Sequence, residues 1–480
     1  MATGDFRQVR EAVWELPAEG RMRVPVRVIA EPAILEGMGR DRTLQQARNV
    51  ATLPGILRAC YVMPDGHEGY GFPIGGVAAM DLEAGVVSPG GIGYDVNCGV
   101  RLLRTSLTPE DLKPRLKQLI NTLYENVPCG VGEQGRLKLN KQELGEVAVE
   151  GVNYAIEKGH GVPADAEHCE ENGRYPGADY SKVSDRAKQR GAPQCGTLGS
   201  GNHFLELQQV EKVLDEATAR AFGLSEGQVT VMVHCGSRGY GHQICDDYVR
   251  RMLPVAESKY GLELVDKELA AAPLDSPEAR DYLAAMATGI NYAFYNRQMI
   301  THWIRESFAQ AFARPWEDFG LELVYDVCHN IGKFEEHEVD GKNRKVFIHR
   351  KGATRALWKG RPEVPQGYRP VGQPVLIPGS METASYVLVG LPGAKETFGS
   401  STHGAGRVMS RHEALRRFRG QELQKKMEAG GMAVKAPTPQ SLAEEAGAAY
   451  KDVDAVVKSV EAAGVTRIVA RLTPLGVIKG

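Results

Sequence analysis

Between residues 86 and 104 the chain reads VVSPGGIGYDVNCGVRLLR, with Asp95 and Cys98 three residues apart among glycines at 90, 91, 93 and 99. A carboxylate and a thiolate together make half of a metal site, and a soft, polarisable sulfur can bridge two cations. Clustered glycines let backbone turn with positive φ or press close to a ligand, so the pair is expected on a crowded, rigid loop. Nitrogen donors stand in three further segments. TLGSGNHFLEL (197–207) carries Asn202, His203 and Glu206; VTVMVHCGSRGYG (229–241) carries His234 and Arg238; LELVYDVCHNIG (321–332) ends at His329 and Asn330. One histidine beside a turn is ordinarily a satisfied loop residue. Three histidines read as strand ends, together with Asp95 and Cys98, fit convergence on metal better. If Cys98 bridges, each of two ions has about three protein ligands and an open position, the pattern of a catalytic centre. The mixed oxygen, nitrogen and sulfur set suits manganese, zinc or cobalt alike.

A second chemistry is written in SSTHGAGR (400–407), where His403 sits between Thr402 and Gly404 ahead of Arg407. An imidazole on a small-residue loop can attack phosphorus while metals and a guanidinium hold the charge, although a loop histidine bonded to backbone is the commoner case. Arg238, Arg350, Lys351, Arg407 and Arg411 are cations beside glycines that could hold phosphate or simply face water. Asp65, His67 and Glu68, in PDGHEGYGFPIGG, read as a polar glycine-rich turn after a strand. No GxxxxGK[ST] occurs, so a Walker-type nucleotide site is not expected.

The elements that must position these groups are legible in outline. Residues 21–30 alternate as a strand, which Pro25 would place at a sheet edge. Residues 41–52 read as a short helix and 58–63 as a buried strand. Thr108, Pro109 and Asp111 open a helix with Leu112, Leu116, Leu119, Ile120 and Leu123 on one face, and 140–158 reads as another. The polar stretch 159–194 is too long for an ordinary connection and reads as a functional excursion with a short helix near 181–190. Ser276 and Pro277 open a long helical tract to Ala313, whose aromatic residues suit a core. A hairpin turns at Asp340-Gly341, two strands flank 378–381, a basic helix carries Arg416, Arg417 and Arg419, and a strand runs over 466–472. The fold class expected is α+β, with mixed or antiparallel sheets and helices packed outside. Polar clusters scattered from 65 to 479 meet only if the chain folds as one unit, so a single domain over 1–480 is expected.

Hydrophobic residues make up 42%, charged residues 25%, and the net charge is −2, an ordinary soluble balance in which any polyanion site must be a local patch. Eight cysteines with no CxxC pair fit a reducing compartment, and no apolar run approaches the ~20 residues of a membrane span, so a cytoplasmic protein with no membrane partner is expected.

Taken in order, DVNCGVR (95–101), GSGNHFLE (199–206), VHCGSRG (233–239), YDVCHNIG (325–332), HRKGATR (349–355), IPGSM (377–381), THGAGR (402–407) and GVIKG (476–480) closely resemble the RtcB family of tRNA-splicing RNA ligases, over essentially the whole chain. The resemblance implies GTP- and manganese-dependent joining of an RNA 3'-phosphate or 2',3'-cyclic phosphate end to a 5'-hydroxyl end. It implies that Cys98 bridges two Mn2+ ions, Asp95 and His203 completing one site and His234 and His329 the other. His403 would attack the α-phosphate of GTP and pass GMP to the RNA 3'-phosphate before the 5'-hydroxyl displaces it. Asp65 would be an acidic residue near the metals. The guanine pocket maps onto Phe204, Glu206, Ser385, Tyr450 and Lys479, and ribose and phosphate contacts onto Asn202, Asn330, Gly379, Ser380, Ala405 and Arg407. Glu206 can accept from guanine N1 and N2, Lys479 can donate to O6, and Tyr450 can stack on the ring. Arg238, Lys351 and Arg411 would hold RNA phosphates. The partners implied are tRNA halves or broken RNA and an archease-type activating protein. Two other classes remain open: a binuclear phosphodiesterase using the same five ligands without a nucleotide, and a non-catalytic RNA-binding protein, which the near-neutral charge supports little.

Overall fold

The computed structural model describes residues 3–480. Two large sheets carry the site. The first runs, edge to edge, Arg7–Arg10, Val13–Leu16, Val26–Ile29, Cys60–His67, Ile74–Met80, Lys342–Lys351 and Asn330–Val339. The second runs Glu322–Cys328, Gly99–Arg104, Val229–Cys235, Phe204–Val213, Thr466–Lys479, Ser385–Gly390 and Pro374–Ile377. Pairing is antiparallel except where Val26–Ile29 lies along Cys60–His67 and where short Ala433–Lys435 lies along Thr466–Lys479. These are the mixed sheets of an α+β fold.

Central strands are buried on both faces, which is why they read as unbroken apolar runs. Val77 and Ala79 enter one core while Ala78 and Met80 enter another; Val231, Val233 and Cys235 face the long-helix core while Met232 points away from it. The helix Pro277–Phe312 begins where Ser276 Oγ accepts from Ala279 N at 3.1 Å and ends at Ala313, whose φ is 54°. Its aromatic residues Tyr292, Phe294, Tyr295, Trp303 and Phe308 are buried, as their spacing suggested. It also buries the polar residues Asn291, Asn296, Arg297, Gln298, Thr301 and Arg305.

Several expectations change. Pro25 does not mark an edge: its strand starts at Val26, inside the sheet, and the Pro25 carbonyl accepts from Cys60 N at 3.0 Å. The helix expected over 140–158 breaks at Gly151 (φ 54°), where any side chain would meet the Gly173 carbonyl, leaving Lys141–Glu150 and Val152–Glu157. The one expected from Thr108 splits into Pro109–Leu112 and Leu116–Asn126, on either side of Pro114. The last strand does not stop at 472 but runs to Lys479, its register shifting between Pro474 and Gly476 to absorb the proline. The excursion 159–194 is a brace more than a loop. Asp165 accepts from Arg305 at 2.6 and 2.8 Å, and Glu170 accepts from Lys333 at 2.5 Å and from Cys328 N at 2.9 Å, with all five residues buried. Its short helix is Asp185–Gly191.

Candidate active site

Antiparallel pairing sets the end of one strand beside the start of the next. Gly99 pairs with Cys235 and Cys328, and Phe204 pairs with His234. Cys98 and His203, each one residue ahead of its strand, therefore meet His234 and His329 at one end of the second sheet. His203 opens its strand; it does not end it, and that opposite polarity is what the pairing requires.

Cys98 Sγ lies 3.4 Å from His203 Nε2 and 3.3 Å from His234 Nε2. His234 Nε2 is 3.3 Å from His329 Nε2, and Asp95 Oδ2 is 3.0 Å from His203 Nε2. Donor separations of about 3.0–3.5 Å fit ions bound at about 2.0–2.3 Å. Cys98, His234 and His329 form one ligand group and Asp95, Cys98 and His203 the other, with Cys98 in both. The surroundings hold the donors in place. Asp95 Oδ1 accepts from Ser237 N at 2.9 Å, in a cradle where a Cβ on Gly236 would meet the carboxylate at 2.4 Å. His203 Nδ1 donates to the Leu198 carbonyl at 3.0 Å, which leaves Nε2 for a metal.

Electrostatics agree with the donor geometry. Burial would raise Asp95, but the His203 hydrogen bond and charge hold it well below the usual carboxylate range. Burial and neighbouring imidazoles hold His234 and His329 well below the ordinary histidine value, in the neutral form that ligates. Burial, with the Asp95 charge, pushes the Cys98 thiol up to about 12, so a bound dication is what would make it a thiolate.

His403 stands against this centre, its ring centroid 4.7 Å from that of His329. Its Nδ1 abuts Asp65 Oδ2, the same oxygen that accepts from His403 N at 2.9 Å. Burial opposes ionisation of Asp65, yet the charge and hydrogen bonds of His403 hold its carboxyl below the ordinary value. With Nδ1 so engaged, Nε2 is the nitrogen left for nucleophilic attack.

A cavity of about 840 Å3 opens over these groups, lined among others by Cys98, His234, His329, His403, Asn202, Phe204, Glu206 and Lys479. Glu206 Oε1 is buried without a hydrogen-bond partner, and burial pushes its carboxyl up to about 8 against the pull of Lys479. An unpaired acceptor in a wall suits a ligand with paired N–H donors, as guanine has.

A family model described as tRNA-splicing ligase RtcB matches residues 46–480. The chain belongs to the RtcB family. Curated relatives of that name from Thermococcus kodakarensis and Archaeoglobus fulgidus are 56% identical over 477 residues and 54% identical over 480, in both cases covering 99% of either chain. The relative from Aeropyrum pernix is 54% identical over 478 residues, with the same coverage. Both ligand groups and His403 lie within the stretch matched to RtcB.

Most residues that the RtcB resemblance assigned to nucleotide line the cavity: Asn202, Phe204, Glu206, Asn330, Gly379, Ser380, Ala405, Arg407, Tyr450 and Lys479. Ser385 is different, since it sits behind the wall, where its Oγ accepts from Gly379 N at 3.2 Å and from Gln208 Nε2 at 3.1 Å. Asn330 ties two loops together, donating to Asp95 O at 3.0 Å and accepting from Gly352 N at 2.9 Å. Lys351 and Arg411 reach the cavity, whereas Arg238 lies beside His203, its Nη1 3.2 Å from Nδ1 of that ring. Burial pulls Lys351 down to about 7. Arg350 is no phosphate ligand: fully buried, it donates to Glu335 at 2.7 and 2.9 Å, to Ser400 Oγ at 2.8 Å and to Phe398 O at 2.8 Å.

Two residues escaped the sequence reading. Buried Glu445 gathers Arg407 at 3.1 Å, Arg411 at 3.3 Å and Lys479 at 3.5 Å, and also holds the Tyr450 hydroxyl. Arg297 donates to Asn97 O at 2.8 Å, to Asn97 Oδ1 at 3.0 Å, to Cys235 O at 2.9 Å and to both Asp326 oxygens at 2.7 and 2.9 Å. No local pattern marks either one, because all their partners except Tyr450 are remote in sequence.

Proposed function

We propose that this enzyme, an RNA ligase by its family, joins an RNA 3'-phosphate or 2',3'-cyclic phosphate end to a 5'-hydroxyl end through a covalent His403–GMP intermediate, with GTP as co-substrate and two Mn2+ ions. The family goes with ligation and not with the binuclear phosphodiesterase kept open above. The observation that carries the chemistry is the contact of His403 Nδ1 with buried Asp65 beside two ligand groups that share Cys98. A binuclear phosphodiesterase that activates water on its metals does not need a nucleophile so held.

Asp95, Cys98 and His203 would hold one ion, and Cys98, His234 and His329 the other. Bound dications would supply charge that neutralises phosphate oxygens and raises the electrophilicity of phosphorus. His403 Nε2 attacks the α-phosphorus of GTP and pyrophosphate leaves, while Asp65 stabilises the cationic ring at Nδ1. An RNA 3'-phosphate oxygen then takes GMP from the histidine, and the 5'-hydroxyl attacks the 3'-phosphorus and expels GMP. A cyclic phosphate must be opened by water first. Glu206 accepts from guanine N1 and N2 and Lys479 donates to O6. Tyr450 packs on the base, and Arg407 is placed for phosphate. Asn202, Asn330, Gly379, Ser380 and Ala405 shape the ribose and phosphate path, and Lys351, Arg411 and Arg238 meet RNA phosphates. Among the described residues no helix is long and apolar enough to cross a membrane. We place the work in the cytoplasm, on tRNA halves or broken RNA, with an archease-type protein as activator.

The test is incubation with GTP labelled at the α-phosphate and Mn2+. Protein-bound label that resists denaturation, is released by acid and is lost in His403→Ala is expected. A wild-type protein that holds two ions yet takes no label would sink the proposal.

A further inference from the structure

Among the parts of the cavity wall that the residues given to GTP leave unassigned is the one formed by Tyr70 and Tyr94 beside Lys351 and Asp95. The Tyr70 and Tyr94 rings meet edge to face with centroids 5.4 Å apart, and His242 continues the row 5.9 Å from Tyr94 at an interplanar angle of 40°. Tyr70 and Tyr94 are half-buried and His242 is exposed. Among the described residues the His242 ring makes no hydrogen bond, and its ring contact is with Tyr94.

The row is built on fixed backbone. Buried Gln46 donates to Gly69 O at 2.6 Å and accepts from Gly69 N at 3.0 Å, and Glu268 accepts from Gly71 N at 2.8 Å. Lys351 Nζ donates to the Tyr70 carbonyl at 2.5 Å, so the cation and the ring are held together. Tyr94 directly precedes Asp95, whose carboxylate is fastened by Ser237. Rings left open to solvent on clamped loops, next to a metal ligand and a lysine, form the kind of surface on which unpaired bases stack.

We propose that Tyr94, with Tyr70 and His242 to either side, is a stacking platform for the nucleobase of an unpaired RNA end. The inference rests on the ligase reading and extends it to how the end is held. Because every base has a π-face, a platform of this kind tolerates any sequence, as an enzyme that meets many different breaks requires. The base belongs to the 5'-hydroxyl strand or to the 3'-phosphate strand, and the arms of the test separate the two.

Each strand is prepared in two forms, one with 2-aminopurine and one with an abasic residue as its terminal nucleotide. Both are given to Mn2+-loaded wild type, Tyr94→Leu, Tyr94→Phe and His242→Leu. Quenching of 2-aminopurine is expected on binding of one strand only, which names the source of the base. An abasic end on that strand should raise the wild-type KM about tenfold, the scale of one stacked base. Tyr94→Leu should raise the KM for the intact strand by a similar factor while showing no further abasic penalty, and Tyr94→Phe should behave as wild type. GTP-derived label on each variant reports that fold and metal centre are intact. Wild type that ligates abasic ends of both strands as well as intact ones overturns the platform, and so does an abasic penalty that persists in full in Tyr94→Leu. A wild type that takes no label overturns the ligase reading itself. The abasic arm on unaltered enzyme holds even if Tyr94→Leu does not fold.

Discussion

At the scale of single residues the site depends on two carboxyls with opposite shifts. Asp65 is held ionised against His403, so Asp65→Asn should leave metal content unchanged while slowing the appearance of GTP-derived label by about 10²-fold or more, because the ring loses its counter-charge as it attacks phosphorus. Labelling at the wild-type rate would remove Asp65 from the mechanism. Glu206 is shifted the other way, from 4.5 up to about 8 by burial. A carboxyl raised on folding favours the folded state when protonated, so its contribution to stability falls as pH rises between those two values. In the guanine pocket proposed above, guanine donating from N1 and N2 would select the carboxylate, and below about pH 8 its binding would expel a proton. GTP affinity, measured in a His403→Ala background to prevent turnover, should therefore rise with pH up to about 8 and then level, by at most tenfold per pH unit for one proton. Glu206→Gln should bind more weakly and with a flatter profile; an unchanged slope in that variant would assign the proton to another group.

At the scale of elements, what was readable in the sequence depended on how local its cause was. The long helix from Ser276 announces itself through a cap, a proline and apolar content, and the hairpin at Asp340-Gly341 through its turn residues. The ligand segments stood out because each joins a strand to a glycine-rich turn. Breaks and braces made by distant contacts were not legible: Gly151 ends a helix because the Gly173 carbonyl lies against it, and 159–194 read as a polar functional excursion because the partners of its acids, Arg305 and Lys333, are far away in sequence. His203 was assigned to the metal site but read as a strand end, since polarity is a property of pairing. Arg297 is the clearest loss, hidden in a helix whose aromatic residues suit a core. It grips the carbonyl before Cys98, the carbonyl after His234 and, through Asp326, the strand that leads to His329. Lysine keeps the charge but lacks the planar fork, so Arg297→Lys should fold with reduced stability and bind metal about 10–100-fold more weakly, read from metal content after dialysis. Full occupancy in that variant would make Arg297 a fold residue only.

At the scale of the molecule, the site sits where the chain crosses from one sheet to the other. Glu322–Cys328 belongs to the second sheet and Asn330–Val339 to the first, and His329 is the residue between them. Asp65 comes from a first-sheet strand, whereas Cys98, His203 and His234 come from the end of the second. Asp65, which holds His403, and the candidate metal ligands are thus carried by different sheets, while His403 itself follows Ser400–Thr402, which pairs with Ala353–Arg355 in a third, two-stranded sheet; their register depends on how the sheets are joined. Ions that bind only this native arrangement stabilise it by mass action, about 2.7 kcal/mol for each site at a free concentration one hundred times Kd. Chelation should therefore lower Tm by several degrees and leave the helical signal below Tm intact. Because Cys98 belongs to both ligand groups, Cys98→Ala should abolish the sensitivity of Tm to chelator, while Asp95→Asn, which touches one group, should retain part of it. A chelator effect of full size in Cys98→Ala would mean that the ions do not share the sulfur, and that the two groups are separate sites.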